Sequence, residues 1–210
     1  MVIFMKFIQG NYEKTTIIQK SKFIAEAYRV NSVEEIDVIL TNIRKKYYDA
    51  THHCFAYRLE NNIQKMSDDG EPAKTAGAPI LDVILKQNLT NILVVVTRYF
   101  GGILLGAGGL VRAYSGSTSA VLENITTYSV ESQAKFRLVC SYASYESIIK
   151  MMKYIQIEKT SFLSEVILEG YCKEELYEKI AKDCFTYKLG DVRLEYLGVF
   201  PIEIPSDISS

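Results

Sequence analysis

The sequence predicts an α+β protein of two domains, residues 1–128 and 132–204. Three observations predict it. Segments with strand and helix periodicity alternate along 210 residues, a length that suits one large domain or two small ones. Eight of the 12 glycines lie between Gly70 and Gly116, and only Gly170, Gly190 and Gly198 follow residue 129, so composition shifts near 125–133. After residue 132 the order strand, helix, strand, strand, helix, strand is complete in itself. It is the split βαβ, or ferredoxin-like, arrangement.

Each element has its own signal. Residues 22–30 (KFIAEAYRV) read as a strand. Ser32 then caps a helix, with Glu35 closing a capping box, and Val33, Ile36, Leu40, Ile43 and Tyr47 recur at helical spacing. Residues 53–59 (HCFAYRL) form the next strand, and the polar stretch 61–75 reads as loop. Pro79 suits a first helical turn, continued by Ile80, Leu81, Ile84 and Leu85. Residues 92–99 (ILVVVTRY) are apolar at both strand parities, as a central strand is. A glycine loop follows, and Leu110, Tyr114, Thr118, Val121 and Ile125 line one face of a long helix. In the C-terminal part the expected strands are 133–142, 155–160, 163–170 and 191–199. The helices are 144–154 and 173–184, with apolar stripes Ile148, Ile149, Met152 and Leu176, Ile180, Cys184. The end of the tail reads as loose, and there is no internal repeat.

Composition excludes several classes. Hydrophobic residues are 48% and charged residues 23%, which excludes general disorder. The net charge of −1 excludes a protein that coats nucleic acid by bulk charge, and leaves only local patches. Residues 1–128 carry a net +2 and residues 129–210 a net −3, which makes the N-terminal part the better anion binder. The longest aliphatic run, 92–96, is far short of the roughly 20 residues of a membrane span, and the start has no signal-peptide architecture. Cysteines stand at 54, 140, 172 and 184 without a C-x-x-C pair. A zinc ribbon and a disulfide scaffold are excluded, and a soluble, reducing, cytoplasmic setting is expected.

Three constellations could carry function. The first is 98–114, RYFGGILLGAGGLVRAY, a buried strand entering a glycine loop that starts a helix. Helix N-termini expose unpaired N–H groups, and Gly101, Gly102, Gly106, Gly108 and Gly109 would let a phosphate or carboxylate approach them. Arg98 and Arg112 would add charge-assisted contacts, and Tyr99 and Phe100 stand at the strand end beside the loop. No Gly-Lys-Ser/Thr follows, and Val111 breaks the G-x-G-x-x-G pattern. The competing reading is that the glycines serve tight helix–strand packing. The second constellation is Asp68, Asp69 and Glu71. These carboxylates suit a metal or acid–base chemistry, a solvated turn, or pairing with Arg98 or Arg112. The third is His52-His53, whose side chains point to opposite faces of a strand. His53 is a candidate base or stacking group, or a partly buried strand histidine with a backbone partner. Cys54 has no activating partner in view.

Taken together, SDDGEPAKTAGAPIL (67–81) and VVVTRYFGGILLGAGGLVRAY (94–114) resemble the signature of the YigZ/IMPACT family. DATHHCFAYRL (49–59) is similar to the family's preceding histidine segment, and KSKFIAEA (20–27) to its opening strand. Lys74 departs from the glycine that many members carry. The resemblance implies an N-terminal left-handed βαβ domain, as in elongation factor G domain IV and some ribosomal proteins. It implies a ferredoxin-like C-terminal domain similar to the last domain of elongation factor G. It brings no established chemistry in bacteria. Eukaryotic IMPACT relatives are translational regulators that bind a protein partner of a stress-responsive kinase, and they carry a different second domain. The resulting expectation is a non-enzymatic, cytoplasmic, translation-associated binding protein. Its partner would be RNA or the ribosome, reached through Arg98, Tyr99, the loop glycines and Arg112, with Asp68, Asp69, Glu71 and His53 positioning the loop or a metal. No cofactor and no membrane partner are expected. The alternatives are an enzyme acting on a small phosphorylated or carboxylated substrate, and a regulator that binds a protein.

Overall fold

The computed structural model describes residues 6–60, 63–186 and 191–206. The expected loose end, 207–210, lies outside them. The chain is a mixed α+β protein that divides into two compact units, one running to residue 129 and the other covering 130–204.

In the first unit, β1 (Phe7–Ile8), β2 (Asn11–Ile18), β3 (Ser21–Arg29), α1 (Val33–Lys46), β4 (His52–Arg58), β5 (Gln64–Ser67), α2 (Gly77–Lys86), β6 (Ile92–Tyr99) and α3 (Gly106–Leu122) follow one another. The sheet order is β2-β3-β6-β4-β5, with every neighbouring pair antiparallel. β6 is central and covered on both faces, which is why it is apolar at both parities. Ile92, Val94 and Val96 enter a core with Ile80 and Ile84 of α2 and Leu110 and Tyr114 of α3. Leu93 and Val95 enter a second core with Ile36, Leu40 and Ile43 of α1. The Ser32 cap forms as expected, its side chain accepting from the Glu35 N–H while Glu35 accepts from Asn31 N–H.

The second unit begins within β7 (Thr127–Cys140) and continues through α4 (Tyr142–Met151), β8 (Gln156–Phe162), β9 (Val166–Lys173), α5 (Glu174–Thr186) and β10 (Arg193–Pro205). β9 lies between β7 and β8, and β10 pairs with β7. Ala134, Phe136, Leu138, Val166 and Leu168 form a core with Ile148 of α4 and Ile180 of α5. The opposite parity carries charge pairs: Arg137 binds Glu169 and Glu195, and Lys135 binds Glu158.

Several expectations are corrected. β1 and β2 are strands in addition to the expected ones. β5 lies inside the expected loop 61–75 and pairs with β4. Ile125 lies beyond the end of α3, although it still packs against that core. The residues left between the two expected domains, 129–131, are strand: they lie within β7, which pairs with β1 at Thr127 and Tyr128 and with β9 from Gln133 onward.

Candidate functional site

Strand parity decides where the expected site residues go. Arg98 continues the face of Val94 and Val96, and stands directly opposite His52 in the β4–β6 ladder. On that face its side chain is buried. Nη1 donates to Glu71 Oε1 at 2.6 Å, and Nη2 lies 3.4 Å from Ser21 Oγ. The guanidinium sits 5.4 Å from the Phe23 ring centre and 5.6 Å from that of Phe100. The same Glu71 oxygen accepts from Tyr114 Oη at 2.8 Å. Cys54 Sγ lies 3.3 Å from Tyr114 Oη and 2.9 Å from the Asp68 carbonyl, so its one proton serves one of them. Burial pushes the Cys54 thiol up to about 12. Burial, then Cys54 and Glu71, raises Tyr114 as well. Neither is a nucleophile at neutral pH.

The acidic loop is a strap across this cluster. Asp68 reaches the start of α2, where Oδ1 accepts from the N–H groups of Ala76 and Gly77 and Oδ2 from Lys74. Burial alone would raise the Asp68 carboxyl, but these three donors hold it below its usual value. Asp69 adopts φ +41° and accepts from the His53 N–H at 2.6 Å. Gly70, at φ +88°, lies so close to His52 that a Cβ would stand 3.3 Å from Nδ1. His52 Nδ1 is 2.7 Å from the Asp69 carbonyl and therefore carries a proton. Its Nε2 is 3.9 Å from Glu71 Oε1. His53 points to the α1 face, with Nε2 3.1 Å from the Tyr47 carbonyl. Among the described residues no group of three or more His, Cys, Asp or Glu side chains is placed to hold a metal.

Five of the expected site residues, Arg98, Glu71, Asp68, Asp69 and His53, are thus partners of one another or of the backbone. Arg98 is not free to meet a phosphate. Sequence reading missed His52, Tyr114, Cys54 and Ser21 as members of this network. The parity shared by His52, Cys54, Val96 and Arg98 was the available signal, but it needed the strand register.

The glycine segment divides in two. Gly101 packs onto the β2–β3 turn, where a Cβ would stand 2.1 Å from the Lys20 carbonyl carbon, and its N–H donates to Ser21 Oγ. Tyr99 faces the other way. It donates to Asp49 at 2.8 Å, and burial, then that bond, raises it to about 12. From Phe100 onward the segment turns to solvent. Phe100 is 47% exposed, Ile103 41% and Leu104 86%. Gly102 and Gly106 take φ +80° and +67°. α3 starts at Gly106 without a side-chain cap, so the N–H groups of its first turn have no side-chain acceptor among the described residues. Arg112 is exposed one turn later and makes no ion pair among the described residues.

The Impact N-terminal domain model matches residues 19–122, a range that holds the strap, the buried cluster and the glycine segment. IMPACT family member YvyE of Bacillus subtilis is 38% identical over 170 residues, covering 78% of this chain and 77% of the relative. The chain belongs to the IMPACT family. IMPACT family member YigZ of Escherichia coli is 40% identical over 129 residues, 60% of this chain and 63% of that one. A crystal structure of a hypothetical protein covers 92% of this IMPACT chain and 97% of its own at 28% identity, with a TM-score of 0.59. The two-domain translational regulator Yih1 is 28% identical over 56% of this chain and 48% of its own, with a TM-score of 0.40.

Proposed function

We propose that this IMPACT-family chain is a translation-associated regulator that acts by binding, with Phe100–Arg112 as its contact surface and a protein of the translation apparatus as its partner. One observation carries the reading. Arg98, Glu71, Asp68, Asp69 and His53 are engaged within the fold, while Phe100, Ile103 and Leu104 are held out in solvent. Exposed aliphatic side chains on a fixed loop suit a protein surface. The protein-binding mode that the resemblance implies for eukaryotic IMPACT relatives supports the same choice. Catalysis by the acidic loop has little support, because Asp68, Asp69 and Glu71 each accept from donors of the fold itself.

A second reading, RNA or ribosomal phosphate at the start of α3, is favoured by its uncapped first turn and by Arg112, which is exposed and makes no ion pair among the described residues. It no longer has Arg98. The architectural part of the proposal is that the first unit is the left-handed βαβ domain of elongation factor G domain IV, and the second the ferredoxin-like domain. The element order from β7 to β10, with β9 between β7 and β8 and β10 beside β7, supports the latter. A cytoplasmic setting follows from the proposed role, and no helix among the described residues is long and apolar enough to cross a membrane.

Co-sedimentation with ribosomes and polysomes tests the reading. Leu104→Asp should abolish it, and Arg112→Ala should weaken it. If the α3 start instead holds RNA phosphate, Arg112→Ala should flatten the log–log salt dependence of binding to a single-stranded RNA by about one unit, and Leu104→Asp should leave that binding intact. Co-sedimentation indifferent to both changes removes this surface from consideration.

A further inference from the structure

Resting on that reading, we infer that the segment docks an acidic amphipathic helix of its protein partner. The surface around Leu104 is positive as well as apolar. Lys20 is exposed at the turn whose backbone packs against Gly101, whereas Lys22 lies over the Tyr99 ring, on the other face of the sheet. Arg112 is exposed on α3. Neither residues 14–22 nor residues 98–122 contain a carboxylate.

This charge discriminates between occupants. A second copy would bring the same cations against these, and like charges repel. RNA would satisfy the cations but give Leu104 and Ile103 nothing to pack on, since nucleic acid stacks on aromatic rings. A membrane anchor needs a broad apolar helix face, whereas Val111 is the one large apolar side chain at the exposed positions of α3, beside Gly106, Ala107, Gly108, Arg112, Gly116 and Ser119. A protein segment that alternates apolar and acidic residues meets both demands. Its carboxylates pair with Lys20 and Arg112, and its apolar stripe covers Leu104, Ile103 and Phe100.

α3 also favours a helical occupant. Gly108, Arg112, Gly116 and Ser119 recur on one exposed face. No heavy atom stands within 4 Å of a Cβ built on Gly116. Small residues there allow another backbone to approach closely, with the Arg112 fork between them. A partner helix laid along this face would meet it through anchors at i, i+3, i+4 and i+7.

The test places a photo-crosslinking benzoylphenylalanine at position 104 of the full chain in its native host. The adduct is then identified by class and sequence. The expected product is a protein adduct whose crosslinked peptide is acidic, with apolar residues at helical spacing. In the same chain, Arg112→Glu should lower the adduct yield about tenfold, equivalent to about 1.4 kcal/mol. Gly116→Gln should do the same by bulk while leaving the melting temperature unchanged or higher, since glutamine is the better helix former. An adduct with RNA, lipid, a second copy or a basic peptide overturns the inference, as does no adduct or a yield indifferent to both variants. Ribosome co-sedimentation of Leu104→Asp, run in parallel, separates the two levels. If it is lost while the adduct is not acidic, the surface stands and the acidic helix falls. If it persists, the functional reading itself falls.

Discussion

Arg98 shows how a residue that reads as a ligand in sequence becomes a strut in the fold. Its buried guanidinium and the Glu71 carboxylate neutralise each other at 2.6 Å. Removing one leaves the other charged in a dry site. Arg98→Ala or Glu71→Ala should therefore cost on the order of 3–5 kcal/mol in urea unfolding. A loss under 1 kcal/mol would show that the pair is open to water and return Arg98 to the list of contact residues. The glycines divide in the same way. Gly101→Ala should destabilise strongly, because its Cβ would stand 2.1 Å from Lys20 backbone. Gly116→Ala should add up to about 1 kcal/mol, as an exposed helical glycine replaced by alanine does. The sequence showed that 98–114 combines a buried strand, a turn and a helix. It could not show which arginine faces inward, because that depends on β6 pairing with β4 so that His52 stands opposite Arg98. Register is a long-range property that the strands do not carry singly.

At the scale of elements, both units hold a helix start with an aspartate distant in sequence. Asp68 caps α2 from eight residues before Ala76. Asp191 caps α4 from across the second unit, accepting from the Ser141 N–H at 2.8 Å and the Ser144 hydroxyl at 2.7 Å. Asp68→Ala should cost about 1–2 kcal/mol, the upper range for a cap. The Ser141 and Ser144 bonds lower Asp191 from 3.8 to about 2. A carboxyl depressed by folding stabilises the native state above its unfolded value, and that contribution is lost as pH falls through the folded value. The stability of Asp191→Asn relative to the native chain should therefore be constant above about pH 4, with the gap closing between about pH 4 and pH 2. A gap that persists at pH 2 would mean that the aspartate acts by shape alone. Helices were legible because their apolar stripes are regular. β2 (NYEKTTII) was not, because it is an edge strand whose outer side needs no apolar pattern. β5 (QKMS) was not, because four mostly exposed residues carry no alternation.

For the whole molecule, the two cores are distinct in sequence while one strand belongs to both units. Buried core residues of the first unit end at Leu122, and those of the second begin at Ala134. Between them β7 runs unbroken, pairing with β1 at Thr127 and Tyr128 and with β9 from Gln133. A shared strand couples two units only if its ladder bonds outweigh the independence of their cores. The burial on each side, set against the two-residue ladder with β1, points to independence. Two perturbations measure it. Arg98→Ala acts in the first unit. Ile148→Ala removes a fully buried side chain from the second and should cost about 2–5 kcal/mol there. Native-state hydrogen exchange read by mass spectrometry on the full chain should show faster exchange across residues 6–122 for the first variant and across 134–204 for the second. The amides of 127–133 should respond to both, since that stretch of β7 serves both ladders. If either substitution accelerates exchange equally along the whole chain, the units unfold as one, and the division into two domains is a matter of shape and not of energy.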